Sequence, residues 1–160
     1  MTVDNSFFAY YHPFFPLLDP EKSADEYYQA WPLLFWTIIA VAARHDPFQP
    51  DLIRSISQPL SNLLWATLAD VPQSYHVVKA LCVLCTWPLP INSTSKDPTF
   101  MICGLMMQIA MQIGLHRPSH TQDFSKFRID LREEELKDRV KTWAACNCVA
   151  QRYSASRLWH

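Results

Sequence analysis

The stretch Asp97–Pro118, DPTFMICGLMMQIAMQIGLHRP, constrains this chain more than any other. It carries helix signals at both ends. Asp97 is placed to cap the N-terminus by accepting from free backbone N–H groups, and Pro98 suits the first helical position, where no donor is needed. Gly114 can close the helix in the left-handed conformation, and Pro118 blocks its resumption. Between these signals nearly every side chain is apolar, and Gln108 and Gln112, one turn apart, form the polar edge. A helix apolar almost all round needs other helices around it. The spacing therefore predicts an all-α fold: a helical array of about six helices, in antiparallel pairs packed around a central buried helix, 98–114.

The rest of the chain is read in the same terms. Its 160 residues fit one domain, and 49% apolar content supports a packed core. Two glycines against twelve prolines argue for helices punctuated by proline loops, since tight hairpins use more glycine. Asp4 or Ser6 starts a short helix to Tyr11, which His12-Pro13 ends. Phe14, Phe15, Leu17 and Leu18 then read as a loop plugging apolar side chains into the core. Ser23 and Glu26 have capping-box spacing ahead of a helix over Ala24–Ala30. Trp31-Pro32 breaks it and restarts a helix through Arg44. Leu52, Ile56, Leu60, Leu63 and Thr67, backed by Ile53 and Leu64, form a helical stripe over Asp51–Leu68, which Pro59 should kink or split. Ser74 caps Tyr75–Trp87, whose one clearly polar residue is Lys79. The segment PLPINSTSKDP is an exposed connection.

Charge changes abruptly after that. Residues 27–122 hold nine charged side chains, whereas Asp123–Lys141 holds twelve, six of each sign. Asp130 and Glu133 have capping-box spacing for a helix of about twenty residues, a surface helix whose apolar stripe is Leu136, Val140, Trp143, Asn147 and Ala150. Glu133 and Lys137 form an i,i+4 pair of the favourable orientation.

Several function classes lose support. A net charge of −1 gives no electrostatic footprint for nucleic acid. Leu33–Ala43, eleven residues, and Phe100–Leu115, sixteen, fall short of the ~20 that a spanning helix needs, so no membrane role is expected. Met1-Thr2-Val3-Asp4 lacks the basic start of a signal peptide, and five cysteines, an odd number, suit reduced thiols in the cytosol or nucleus. There is no G-x-S-x-G, H-E-x-x-H, G-x-G-x-x-G or P-loop lysine, so no catalytic residues are assigned and no enzyme is expected. Cys82-x-x-Cys85 shares one helix face, yet zinc needs two further ligands and buried cysteine packs as a small hydrophobe; core packing is the preferred reading. Cys146 and Cys148, two apart, cannot face one another on a helix. His116 and His120 are separated by Pro118. His116 and Arg117 are better placed to complement free carbonyls past a helix C-terminus. His12 reads as a loop histidine bonded to backbone. Met101, Met106, Met107 and Met111 surround the central helix, either as irregular core filling or as the wall of a ligand pocket.

Three blocks carry a resemblance. HPFFPLLDP, with His12, Pro13, Phe15, Pro16 and Asp19, opens the first, and PLLFWTIIAVAAR, with Phe35, Trp36 and Arg44, is the second. The third pairs VKALCVLCTWP, with Ala80, Leu81 and Trp87, with GLMMQIAMQIGLHRP, with Gly104, Ala110, Gly114, Leu115, His116 and Arg117. Together they are similar to the fungal-specific transcription factor domain, the middle homology region of fungal binuclear zinc-cluster transcription factors. The leucine-biosynthesis and secreted-protease regulators resemble it most. The resemblance implies that residues 1–151 are the N-terminal part of such a regulatory domain, with 152–160 an unmatched tail. It implies a nuclear regulator acting by effector sensing or intramolecular inhibition. A homodimer, the transcription machinery and a small-molecule effector would be its partners. DNA and zinc would be bound by a six-cysteine cluster that the cysteines here do not fit, so no cofactor and no metal or DNA-binding residue is assigned to this chain. The alternatives are a free-standing helical small-molecule binding module, or a truncated, non-functional interaction fragment.

Overall fold

A computed structural model describes residues 3–45, 51–91, 94–117 and 132–157. Among them are seven α-helices and no strand: α1 (Val3–Tyr10), α2 (Ala24–Ala30), α3 (Pro32–Ala42), α4 (Leu52–Ala69), α5 (Tyr75–Thr86), α6 (Thr99–Gln112) and α7 (Glu133–Arg157). The all-α class follows. Among the described residues no helix is long and apolar enough to cross a membrane. The helices sort into two compact units, Met1–Pro72 with Trp87–Asp97, and Gln73–Thr86 with Pro98–His160.

In the first unit α3 is the hub, packing on α1, α2 and α4. Leu33, Leu34, Ile38 and Val41 are buried on it, and Thr37 is buried too because its hydroxyl donates to the Leu33 carbonyl (2.8 Å). The capping box at α2 forms as the spacing predicts. The Glu26 N–H donates to Ser23 Oγ (3.3 Å), and the Ser23 N–H donates to the Glu26 carboxylate (2.7 Å). The Ser23 N–H and then its hydroxyl, which also donates to the carboxylate (2.9 Å), hold the Glu26 carboxyl below its ordinary range. Pro32 opens α3 as expected. Phe14 does not plug the core; it is 83% exposed, while Leu17 and Leu18 take the buried places. Nor does Pro59 split its helix, because α4 runs through it without interruption, burying Leu60 and Leu64.

In the second unit α5, α6 and α7 each pack on the other two. The helix expected at the centre starts at Thr99, one residue late, with Pro98 as the cap whose carbonyl accepts from the Ile102 N–H (2.9 Å). Its C-terminus is the predicted one. Gly114 has φ 75°, its N–H donates to the Met111 carbonyl (3.1 Å), and the Leu115 N–H donates to that of Ala110 (2.9 Å). Leu115 is fully buried beneath this turn. Yet α6 is not the enclosed helix. Phe100, Met101, Gly104, Gln108, Met111 and Gln112 are exposed on it, whereas every residue of α5 from Val78 to Cys85 is buried. Apolar composition alone does not say which of two apolar helices keeps an open side.

The stripe expected on α7 is rotated. Val140 is exposed, and the buried row is Thr142, Ala145, Cys146 and Val149. Two self-satisfying polar groups explain the shift: Thr142 Oγ1 donates to the Asp138 carbonyl (2.7 Å), and Asp138 itself faces a buried lysine. The Glu133–Lys137 pair forms at 2.7 Å. Asp130 and His120 lie outside the described residues. The helix continues unbroken past residue 151, and Tyr153 donates its hydroxyl proton to the Cys85 carbonyl (2.7 Å).

Candidate functional site

In the first unit the sequence motifs converge on an aromatic cluster. Trp87 meets Tyr11 edge-on at 5.2 Å between ring centroids, and Phe7 and Phe15 at 6.2 Å each, while Phe7 and Tyr11 stack at 6.0 Å. Such edge-to-face pairs add about 0.5–1.5 kcal/mol each beyond their burial. Burial pushes the Tyr11 phenol above its ordinary range, partly offset by the Arg44 guanidinium. Arg44 also donates to the Pro88 carbonyl, beside Trp87. The loop bearing His12, Pro13, Pro16 and Asp19 fastens itself. His12 Nε2 and the Leu18 carbonyl are 2.9 Å apart, as between a ring donor and its acceptor. The Tyr27 hydroxyl donates to the Asp19 carbonyl (2.9 Å) while accepting from the Asp19 N–H (3.0 Å). Phe35 stands edge-on to Tyr28 and Trp36, and Trp36 remains 37% exposed.

In the second unit a buried charge pair is the main polar feature. Lys79, 4% exposed, places Nζ 2.7 Å from both carboxylate oxygens of Asp138. Tyr75 lies beside it, its ring 5.5 Å from Lys79 Nζ and 5.0 Å from the Arg139 guanidinium carbon. Arg139 in turn donates to Glu135 (3.3 Å). Burial, then the negative charges of Asp138 and Glu135, push the Tyr75 phenol far above its ordinary range, against a smaller opposing effect of Arg139. The phenol therefore stays protonated, and the ion pair joins α5 to α7 as a clamp. Sequence reading missed it. The signal was present, though: a lone lysine on an apolar helix requires a carboxylate partner.

The cysteines pack rather than ligate. Cys82 Sγ lies 3.3 Å from Met106 Sδ and 3.6 Å from Cys146 Sγ, and all three residues are fully buried. Burial pushes the Cys82 and Cys103 thiols up, away from the thiolate that zinc requires. Cys85 directs its thiol to the Thr99 carbonyl, and Cys148 is exposed on the other side of α7. Among the described residues no group of three His, Cys, Asp or Glu is placed to hold a metal ion. These donors do not fit a six-cysteine zinc cluster.

The remaining motif residues have separate fates. Ala80, Leu81, Ala110 and Leu115 are fully buried, the His116 ring lies 6.1 Å from that of Trp143, and Arg117 is exposed. The methionines do not converge: Met106 is buried, Met107 half-buried, and Met101 and Met111 are exposed. The two motif glycines should respond oppositely to substitution. A Cβ at Gly104 would meet nothing within 4 Å, so Gly104→Ala should raise stability by up to about 1 kcal/mol through helix propensity. Gly114→Ala, forced into the left-handed region, should cost about 1–2 kcal/mol. Urea midpoints of the two variants check both signs.

Two cavities in the first unit are lined wholly by described residues, and no methionine lines either. One, of about 230 Å³, is bounded by Trp36, Ser55, Ile56, Pro59, Leu60 and Leu63. The other, of about 120 Å³, is more polar and lies between Phe8, Lys22, Ser23, Tyr27, Phe35 and Ile38.

Comparison with known proteins gives this scaffold its family. The profile described as the fungal specific transcription factor domain matches residues 5–155. A putative transcription factor, SEF1, of Kluyveromyces lactis is 35% identical over 98% of this chain and 13% of its own length. The transcriptional regulatory protein SEF1 of Candida albicans is 32% identical over 89% of this chain and 16% of its own. The regulatory protein LEU3 of Saccharomyces cerevisiae is 27% identical over 91% of this chain and 18% of its own. The chain thus spans less than a fifth of these relatives. No solved structure matches. With the profile matched almost end to end, the chain belongs to the fungal-specific transcription factor domain family.

Proposed function

We propose that this chain is a regulatory segment of a fungal transcription factor, one that modulates DNA-templated transcription by sensing an effector or by intramolecular inhibition. The observation that carries the reading is the family match over residues 5–155, whose motif residues Leu81, Trp87, Ala110 and Leu115 build the helical scaffold. The relatives' names, transcription factor and regulatory protein, support it. The segment works in the nucleus, within a homodimer and alongside the transcription machinery, and a small molecule is its effector. A separate zinc-cluster segment makes the DNA contacts, since a net charge of −1 offers phosphates no attraction. No reaction is assigned to the chain.

The test is a yeast reporter in which the chain is inserted between a heterologous DNA-binding domain and an activation domain. Reporter output should be lower, or conditional on nutrients, relative to the same fusion carrying Leu81→Pro, which breaks α5. Equal output from both fusions under every condition overturns the reading.

A further inference from the structure

We propose that the half-open groove between α3 and α4 is a binding site for a small, neutral, largely hydrocarbon molecule of one or two fused rings. It gives a ligand class to the effector-sensing reading and rests on that reading for its purpose, though not for the binding itself.

Three features of the groove point to such an occupant. Its volume, about 230 Å³, exceeds by roughly half the apolar cavity of about 150 Å³ that holds benzene in an engineered protein, and is far too small for a helix. None of its six lining residues is charged, so an ionic ligand would lose its hydration without a partner. One wall is Trp36, which the family motif supplies but the core does not absorb. The residue is 37% exposed and its ring is braced edge-on by Phe35 at 5.3 Å, so it presents a flat apolar surface.

The opposite wall explains why the groove persists. Pro59 stands inside α4 and has no N–H, so the Ser55 carbonyl one turn back receives no helical hydrogen bond from it. Ser55 and Pro59 both line the groove. Ser55 is small and the Pro59 ring is rigid, so neither can swing across to fill the space beside the indole. Ser55, Ile56 and Leu63 stay at least partly open to solvent, which gives a ligand its entry path.

The probe is indole, titrated into the 160-residue chain and followed through the methyl NMR signals of Ile56, Leu60 and Leu63. Saturable shifts confined to these methyls are expected, with Kd of about 1 mM or tighter. Ser55→Trp fills the groove from an exposed position and should weaken indole binding at least tenfold. Ala66→Trp, on an exposed part of α4 outside the groove, should leave it unchanged. Benzoate, similar in size but charged, should bind at least tenfold more weakly than indole. Unsaturable shifts, shifts elsewhere in the chain, or equal affinity in Ser55→Trp overturn the site. In the reporter fusion the two ideas separate. Groove binding without any change in output refutes effector sensing through this site, whereas nutrient-conditional output that Ser55→Trp leaves untouched places the effector elsewhere.

Discussion

Asp138→Ala should be among the most damaging single substitutions in the second unit, costing about 3 kcal/mol, because it leaves the Lys79 ammonium buried without its carboxylate. The Asp138 side is 30% exposed, so some water reaches the stranded charge, which keeps the cost at the lower end for a broken buried pair. With a slope of about 2 kcal/mol per molar, the urea midpoint should fall by about 1.5 M. Lys79→Met combined with Asp138→Leu should recover most of that loss, since a well-packed apolar pair needs no desolvation of charges. A second readout separates electrostatics from packing. Asp138 is one cause of the raised Tyr75 phenol, so the single variant should bring phenolate absorbance in at lower pH, while burial still holds it above the ordinary range. An unchanged Tyr75 titration together with an unchanged urea midpoint would mean that the clamp contributes nothing.

Trp87→Ala should cost about 3 kcal/mol in the first unit, the low end for deleting a large aromatic, because Trp87 is half-buried. Part of that cost comes from three edge-on ring contacts, to Phe7, Tyr11 and Phe15. Trp87→Phe should retain most of the stability. The control is Phe14→Ala: despite sitting in the same aromatic stretch, Phe14 is 83% exposed, so its removal should cost within about 0.5 kcal/mol, as for most surface positions. Equal losses for Trp87→Ala and Phe14→Ala, measured by denaturation, would refute the cluster as an anchor.

Much of the fold is written locally. The Ser23–Glu26 capping box, the Pro32 restart and the Gly114 closure are each decided by a few adjacent residues. Backbone sterics and nearby donors leave little choice there. The family was legible as well, because its motifs are strings of such residues at fixed spacing. The candidate site was not. Trp36 was visible as a motif residue, but nothing in the order of residues says that its ring faces a gap opposite Pro59 rather than the core. The four methionines allow either core filling or a pocket wall, and only packing decides that Met106 is buried while Met101 and Met111 are exposed.

The helices, most of their ends and the family are legible in the order of residues, since these depend on hydrogen bonds and torsions within a turn or two of each residue. Tertiary structure alone decided which faces are buried. Helix α6, apolar nearly all round, keeps an open side, while α5 is enclosed with a lysine inside it. The reason is that burial depends on what another helix brings to the same place. Lys79 is buried with Asp138, 59 residues later, standing 2.7 Å from its ammonium. The row through Thr142 turns inward with it. Helical periodicity fixes which residues share a face, and the partner across the interface chooses the face.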